Sequence, residues 1–510
     1  NVFYIHALGK FCQLKKMFSK VKQWFKYFWR LRKPHISWQI ASVSGGILFG
    51  AVLAHFVDIY FFSGYVWLVV GGLLVLSSIV IRHFVAVLVC ILAGIVIGAF
   101  VGVNALISQK TYEPYYDKNI SFTGKVLEDT SFTQSGELQL KLSNIVIANN
   151  KMPGTVWVTT YSKMPIKRGD IVHVEGKFDK GFGNMNVAVF NANVIKAERP
   201  VPGDFALKIR DSFTEHVYRV MPAKEASLGV SYITGQKQLL SDEFENDLRN
   251  LGLIHLAVAS GFHLTIVVGF CRRFFANTSR YYAVIMSLLL IWGFLLITGF
   301  TTSMMRAALV TIISLIAWYY GRVVHPVVLL LFVAAITVLI NPFVIWGDIG
   351  WYLSFASFAG VIIIAPLIEK YFWGDAKNVP ALRRIVVATV SAQIATFPII
   401  AFTFAQYSPL ALVSNLLILP FVSVAMLLTL FASFASFIIP FAAGVLAYPA
   451  YITLRYMTVI SDFLVATPWA YRDISVSFFG VIVSYALIII VTFYLWKRTC
   501  YSFSKLDALS

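Results

Sequence analysis

One apolar segment of the sequence contains two histidines and a serine. Residues 252–270 read GLIHLAVASGFHLTIVVGF, with His255, Ser260 and His263 among apolar side chains. Ionisable residues at membrane depth are costly, and they usually face the protein interior or a water-filled path. If the segment is one helix, His255 and His263 are about two turns apart and share a face. Two interpretations stay open: polar lining of a conduit, or hydrogen bonding between packed helices.

The histidine segment lacks the partners that catalysis or zinc binding would need. No acid within it completes a Ser-His-Asp arrangement, and the H-E-x-x-H pattern of zinc proteases is absent. The cysteines Cys12, Cys90, Cys271 and Cys500 are scattered and form no CxxC pair. We therefore predict no catalytic residue, no metal site, no cofactor and no enzymatic activity.

Further polar residues interrupt other apolar segments. Arg306 lies in TGFTTSMMRAALV, where a guanidinium needs a carboxylate such as Asp348, a carbonyl or water. Alternatively, its head group reaches the outer interface, and Arg455 has the same two interpretations. Near prolines, Gln393 and Asn415 indicate either unwound backbone beside a cavity or simple packing contacts.

The chain around these residues is too apolar for a soluble protein. Hydrophobic residues are 58% of its 510 residues and charged residues only 13%, with a mean hydropathy of +0.76. Soluble domains average about 25% charged residues. A membrane span needs roughly 20 mostly apolar residues, and such runs recur along the chain. The composition predicts a polytopic α-helical membrane protein.

Hydropathy predicts about twelve spans. They cover residues 36–57, 60–81, 84–107, 252–271, 281–300, 302–320, 326–345, 349–368, 385–405, 409–438, 441–466 and 476–496. With the first 33 residues inside, the basic residues between the later spans also fall inside, as the positive-inside rule requires. We expect a bacterial cell (inner) membrane protein with both termini cytoplasmic and with membrane lipids as partners.

The net charge of +18 mainly indicates orientation rather than nucleic-acid binding. Residues 1–33 are rich in lysine, arginine and aromatic residues and contain no acid, which fits the anionic cytoplasmic leaflet. The predicted organisation runs in six parts along the chain. These are a basic cytoplasmic tail at 1–33, three spans in 34–108, a β-rich domain at 109–200, an amphipathic helical connector at 201–250, a multi-span domain at 251–497 and a cytoplasmic tail at 498–510.

The β-rich domain is predicted from alternating apolar and polar residues between Gly- and Asn-rich turns. Five strands and the GDIVHVEG step starting at Gly169 favour an OB-like barrel, inserted as an extracytoplasmic domain, over another small barrel or a sandwich. Its aromatic residues Phe132, Trp157, Tyr161 and Phe182 are either exposed, where they would stack on DNA bases, or part of the barrel core.

The polar segments of the later spans, taken together, resemble the competence domain of the ComEC/Rec2 family. The matching segments are GLIHLAVASGFH at 252–263, RAAL at 306–309, DIGWYLSFA at 348–356, AQIATFP at 392–398 and SNLLILP at 414–420. Three spans before an OB-like domain also resemble the N-terminal region of that family. The resemblance covers about residues 36–496 and is specific because five segments match in order.

The resemblance implies a channel that passes single-stranded DNA into the cytoplasm during natural transformation. Candidates for the DNA path are His255, Ser260, His263, Arg306, Asp348, Gln393 and Asn415. Some members of the family also contain a metallo-β-lactamase-like nuclease. Here no H-x-H-x-D-H cluster occurs, so we expect the form that lacks this C-terminal domain.

Partners and rival functions complete the prediction. No G-x-x-x-x-G-K-[ST] occurs, so a cytoplasmic helicase-like ATPase or the proton gradient would supply energy. An extracytoplasmic DNA receptor and a homo-oligomer are further possible partners. The alternative is a transporter of another substrate with an intramembrane His/Arg relay. An intramembrane enzyme using His255, Ser260 and His263 is the weakest interpretation.

Overall fold

The structure, a computed structural model, describes residues 35–81, 85–132, 136–162, 164–183, 185–200, 204–257, 259–374 and 379–501. The predicted tail at 1–33 and most of that at 498–510 lie outside the described residues. The chain forms two compact units. Among the described residues, one unit contains those up to 107 together with 334–345, and the other contains those of 108–333 and those from 346 onward.

The first unit is helical. Its N-terminal helices are α1 (Ile36–Leu53), α2 (Ile59–Phe62), α3 (Val66–Val80) and α4 (Val85–Lys110), whose last residues belong to the second unit. Helices α1 and α4 pack through glycines, because a Cβ on Gly50 or Gly98 would collide with the backbone of the facing helix. Small residues that let helix backbones approach closely are typical of membrane helix pairs.

The helices after residue 200 include long apolar ones and short connecting ones. They are α5 (Phe205–Tyr218), α6 (Ala223–Thr234), α7 (Asp242–Asn250), α8 (Ile254–Ala257), α9 (Gly261–Ala276), α10 (Arg280–Thr298), α11 (Thr302–Tyr319), α12 (Pro326–Ile340), α13 (Val344–Gly347), α14 (Ile349–Ala359), α15 (Ala365–Trp373), α16 (Ala381–Phe404), α17 (Ala411–Ile438), α18 (Ala443–Val465) and α19 (Phe478–Thr499). A π-helical stretch, Gly360–Ile364, joins α14 to α15, and 3-10 turns occur at Glu113–Tyr115, Lys237–Leu239 and Pro440–Ala442.

Each predicted span contains a helix. Within the described residues, eight helices are long and apolar enough to cross a membrane, and α3 and α12 are shorter apolar helices. Helices α9 and α18 occupy the two remaining predicted spans. The predicted fold class, a polytopic α-helical membrane protein with a small inserted barrel, is confirmed.

The inserted domain is a closed barrel of five strands. Its elements are β1 (Asn119–Val126), β2 (Ser131–Phe132), β3 (Leu138–Ile147), β4 (Asn150–Met152), β5 (Val156–Thr160), β6 (Ile171–Lys180), β7 (Val187–Val189) and β8 (Asn193–Glu198). The ring runs β1-β3-β5-β7-β6 and closes through β6 onto β1, with only the β5–β7 pair parallel. Counted in chain order, the five barrel strands pair 1-2-3-5-4-1. This Greek-key closure is that of an OB-like barrel and excludes a two-sheet sandwich. A separate two-stranded ribbon pairs β9 (Gln406–Tyr407) with β10 (Arg472–Asp473).

Alternation along the strands produces the barrel core. In β6, buried Val172, Val174 and Phe178 alternate with outward residues because successive side chains of a strand point to opposite faces. Tyr112, which follows α4, stacks on Phe178 with ring centroids 6.3 Å apart, and its hydroxyl donates to the Pro153 carbonyl oxygen at 2.8 Å. Tyr112 therefore anchors the segment before β1 to the barrel core.

Ion pairs attach the barrel to α5. Arg210, which is buried, donates to the Asp129 carboxylate at 2.6 Å, and Lys167 donates to Asp211 at 2.6 Å. Both contacts join a barrel loop to α5, so the barrel is docked on the helices rather than only tethered to them.

A third contact joins the barrel to α10. Arg168, which is also buried, donates from Nη2 to the Leu296 carbonyl oxygen at 2.7 Å and lies 3.6 Å from the Asp204 carboxylate. Burial lowers the pKa of the Arg168 guanidinium, although the nearby carboxylate of Asp129 opposes that shift. Arg168 thus anchors the barrel at the C-terminal end of α10.

The predicted connector at 201–250 is only partly amphipathic. Helix α5 has both buried and exposed residues, whereas α6 is buried continuously from Glu225 to Thr234. Helix α6 packs against α17 and α18. Helix α6 is therefore part of the helical core of the second unit.

Candidate functional site

The histidine segment is not one helix. Helix α8 ends at Ala257, and α9 begins at Gly261 with Ser260 as its N-cap. The expectation that His255 and His263 share one helical face is therefore wrong. The new helix starts here because the Ser260 backbone N–H, which would otherwise lack a partner, donates to Nδ1 of His263 at 3.1 Å.

His263 is a fully buried hydrogen-bond donor. Because its Nδ1 accepts the Ser260 N–H, the neutral ring has its proton on Nε2. This Nε2 has no hydrogen-bond partner among the described residues. Tyr232 stacks on the ring with centroids 5.3 Å apart, so α6 holds the imidazole in place. His255, in contrast, has an exposed side chain.

Arg306 is buried near the start of α11. Its Nη2 donates to the Gly350 carbonyl oxygen at 2.9 Å, while Nε and Nη1 have no hydrogen-bond partner among the described residues. Its side chain is only 4% exposed, so the interpretation that its head group reaches the interface is wrong. Its hydrogen-bonded partner is thus a carbonyl, and the Asp348 carboxylate acts on it through electrostatic attraction.

Asp348 defines the start of α14. Its Oδ1 accepts the Trp351 N–H at 2.8 Å, which makes Asp348 the N-cap. A Cβ on Gly350 would lie 3.2 Å from the same Oδ1. The Asp348 carboxylate and the carbonyl that binds Arg306 are therefore at the same helix start.

Gln393 on α16 and Asn415 on α17 differ in whether their side-chain amides have a hydrogen-bond partner. Gln393 is half-buried, and its Nε2 has no partner among the described residues. Asn415 is buried and donates from Nδ2 to the Ala411 carbonyl of its own helix at 2.7 Å. Its neighbour Ser414 donates to the Leu251 carbonyl at 2.9 Å and so ties α17 to the segment before α8. The Asn415 contact supports the packing interpretation.

The second predicted intramembrane arginine has a partner that the sequence did not indicate. Arg455 donates to Glu225 of α6 at 3.0 Å, and the Thr458 hydroxyl lies 3.4 Å from the same carboxylate oxygen. Glu225 is buried. Arg455 thus belongs to the contact between α6 and α18.

Three helix starts are neighbours around Arg306. A Cβ on Gly261, the first residue of α9, would lie 2.8 Å from the Cβ of Ala307 on α11. Arg306 itself contacts Gly350, the second residue of α14. Helix N-termini have partial positive charge. The starts of α9, α11 and α14, together with Arg306, therefore bring positive charge to a region that also contains the Asp348 carboxylate.

On the barrel, three aromatic side chains form an aromatic cluster: Trp157, Phe182 and Phe190. The rings of Trp157 and Phe182 are 5.9 Å apart, and Phe182 stacks on Phe190 at 6.3 Å. Phe182 and Phe190 are 50% and 47% exposed, and Trp157 is half-buried. Sequence reasoning missed Phe190, although it directly follows β7.

The two other aromatic candidates also lie on the surface. Phe132 is 62% exposed on β2, and Tyr161 is 63% exposed after β5. A hydrogen bond with Glu137 raises the pKa of the Tyr161 phenol. The core interpretation is therefore wrong for both residues and for Phe182.

The loop that contains Phe182 contacts the helix start that contains Asp348. A Cβ on Gly347 would lie only 2.8 Å from the Cα of Gly183. The two backbones touch because neither residue has a side chain. Gly183 follows Phe182 and Gly347 precedes Asp348, so the aromatic cluster and the Arg306 region are joined through one backbone contact.

The described residues contain no group of three or more His, Cys, Asp or Glu residues that could hold a metal ion. The polar groups around Arg306 include hydrogen-bond donors and one carboxylate. Arg306 and His263 supply buried N–H donors, three helix starts add partial positive charge, and Asp348 supplies the carboxylate. Such a set can bind an anion through N–H groups.

Comparison with known proteins places the chain in one family. Residues 232–499 match the family model described as "Competence protein". The chain is 25% identical over 247 residues to ComE operon protein 3 of Bacillus subtilis (strain 168), a match that covers 45% of this chain and 30% of that relative. The chain thus spans less than a third of the relative's length. No solved structure matches significantly. Because the family model covers more than half of the 510 residues, the chain belongs to the competence protein family.

Proposed function

We propose that this protein is a membrane channel that takes up single-stranded DNA into the cytoplasm during natural transformation. One observation supports this function most directly. The Gly183–Gly347 contact joins the exposed aromatic cluster of the barrel to the helix starts around Arg306. A strand held by the barrel would therefore lie next to buried donors of the membrane domain.

The aromatic cluster suits single-stranded nucleic acid. Every base has a π-face, so stacking on exposed aromatics is tolerant of sequence and contributes about 1–3 kcal/mol per base. Trp157 lies on β5, and Phe182 lies in the loop between β6 and β7. In OB-type barrels, oligonucleotides bind to the face of the second and third strands and to the adjoining loops. These positions correspond to β5 and to the loop of Phe182.

The membrane-domain residues suit a polyanion. DNA cannot cross hydrocarbon, so it needs a hydrated path with cationic sites that release it as readily as they bind it. Arg306 and His263 have buried N–H groups without partners among the described residues, and these would donate to phosphate oxygens. His255, which is exposed, and Gln393, whose amide is unpartnered among the described residues, would line the same path.

Orientation and partners are part of the proposal. Both termini would be cytoplasmic and the barrel extracytoplasmic, so that incoming DNA meets the aromatic cluster first. A helicase-like ATPase would act from the cytoplasm, and a DNA receptor would deliver the strand outside. The chain would act as a channel without catalysis of its own, alone or as a homo-oligomer. The alternative of a His/Arg proton relay has less support, because His255 and His263 lie on separate helices and Arg455 pairs with Glu225.

The test uses the purified chain in two assays. In the first, fluorescence anisotropy of an oligothymidine measures binding. Trp157→Ala should weaken binding about 10-fold, whereas Phe205→Ala, which removes an exposed aromatic of α5, should not. Equal affinities for the two variants would contradict the role of the aromatic cluster.

The second assay measures uptake of the labelled strand into liposomes. Arg306→Gln and His263→Ala should abolish uptake. Arg472→Gln, which removes an exposed arginine of β10, should leave uptake unchanged. If the unmodified chain takes up no single-stranded DNA with any energy source, the proposed function is wrong. If Arg306→Gln and His263→Ala take up DNA normally, the assignment of the path is wrong.

A further inference from the structure

We propose that Arg306 binds one phosphate of the passing strand and that Asp348 shortens the time for which this phosphate stays bound. The inference rests on the proposed function, since it assumes that DNA passes Arg306. Arg306 would strengthen DNA binding, and Asp348 would weaken it.

The donors of Arg306 are placed for an oxyanion. One N–H of the guanidinium is used by the Gly350 carbonyl, while Nε and Nη1 have no partner among the described residues. A buried N–H without a partner is unfavourable. A phosphate oxygen pair matches the planar fork of a guanidinium and accepts two of its hydrogen bonds. Phosphate binding would therefore satisfy the donors that the protein leaves unused.

A phosphate would approach Arg306 from the start of α14. Ile349 and Gly350, at the start of α14, are exposed, although Arg306 itself is buried. The barrel loop after Phe182 contacts Gly347, immediately before them. The exposed start of α14 therefore lies between the aromatic cluster and Arg306.

Asp348 would act against tight binding. Its carboxylate is fixed at the start of α14 by the Trp351 N–H, near the carbonyl that holds Arg306, and it attracts the guanidinium. An arriving phosphate is a second anion beside the same cation, so it competes with Asp348 and is repelled by it. Arg306 and Asp348 together thus have little net charge until DNA arrives. Such a site would bind phosphate weakly, and conduction requires weak binding.

Asp348→Asn separates this role from a structural one. Asparagine is as good an N-cap as aspartate, so α14 should start at the same residue while the charge is lost. Asp348→Ser, which also keeps a capping oxygen, provides a second variant. Asp473→Asn is the matched control, because it removes an acid from the exposed strand β10.

Binding of a fluorescent oligothymidine and its uptake into liposomes are measured for each variant, in a Trp157→Ala background where barrel binding is weak. Asp348→Asn and Asp348→Ser should lower the Kd about 10-fold and slow uptake by a similar factor. Asp473→Asn should change neither. Adding Arg306→Gln should remove the effect of Asp348→Asn on the Kd.

Three outcomes would overturn the inference. If both Asp348 variants bind DNA more weakly, Asp348 only positions Arg306. If both leave Kd and uptake unchanged while Arg306→Gln abolishes uptake, Asp348 has no part in release and the proposed function still stands. If Arg306→Gln takes up DNA normally, the strand does not pass Arg306. In that case the failure lies in the assigned path and not in the Asp348 step alone.

Discussion

Removal of the Asp129 carboxylate should loosen the barrel from α5. In Asp129→Ala, Arg210 remains buried at 3% side-chain exposure without the carboxylate it now contacts at 2.6 Å. Breaking a buried ion pair by removing one partner costs about 3–5 kcal/mol. Because Asp129 is itself 20% exposed, we expect the lower end, about 3 kcal/mol, which corresponds to about 100-fold in an opening equilibrium.

Hydrogen exchange of the full chain in detergent micelles tests this expectation. Amides of the barrel strands that exchange through undocking should exchange about 100-fold faster in Asp129→Ala. The control is Arg219→Ala on the same helix, because Arg219 and Glu215 form an exposed pair worth at most about 1 kcal/mol. Exchanging the charges, with Asp129→Arg and Arg210→Asp together, should restore part of the protection. If exchange rates in Asp129→Ala stay within threefold of those in the unmodified chain, a margin of about 0.7 kcal/mol, this pair does not dock the barrel.

Three further substitutions test other contacts. Tyr112→Phe removes the hydroxyl that donates to Pro153 and should destabilise the barrel by about 1 kcal/mol, measured by thermal unfolding; no change in Tm would contradict the contact. Gly347→Val places a branched side chain against Gly183 and should lower DNA uptake while leaving oligothymidine binding intact; unchanged uptake would show that the contact is not needed. Ser260→Ala removes the hydroxyl of the α9 N-cap and should cost about 1 kcal/mol. Thermal unfolding measures this loss, and a stabilised protein would contradict the capping role.

The sequence predicted the architecture because its physical signals are strong. Long apolar runs identify membrane helices wherever they occur, so each predicted span contains a helix. Alternation in segments such as RGDIVHVEGKF indicated a β-domain, and the strands close into the expected small barrel. The charged residues of this barrel, in contrast, did not predict that the barrel is docked on α5. The Arg210–Asp129 pair joins residues 81 positions apart, and no local pattern in the sequence relates them.

The candidate site was predictable as a set of polar residues and not as an arrangement. Hydropathy alone does not separate a continuous helix from α8 followed by α9, because the break depends on one hydrogen bond between Ser260 and His263. A carbonyl was among the expected partners of Arg306, but that of Gly350 was not identified because a backbone carbonyl leaves no trace in residue types. The Gly183–Gly347 approach likewise depends on tertiary packing of two glycines far apart in sequence.

In the proposed path, one strand passes from the aromatic cluster to the start of α14. Photo-crosslinking during uptake tests this path, with a photoreactive amino acid replacing Phe182, Ile349 or Ile482 one at a time. Ile349 is exposed beside Arg306, and Ile482 is exposed on α19. We expect labelled DNA to crosslink at positions 182 and 349 and not at position 482. Normal uptake without any crosslink at position 349 would show that the strand does not pass the start of α14.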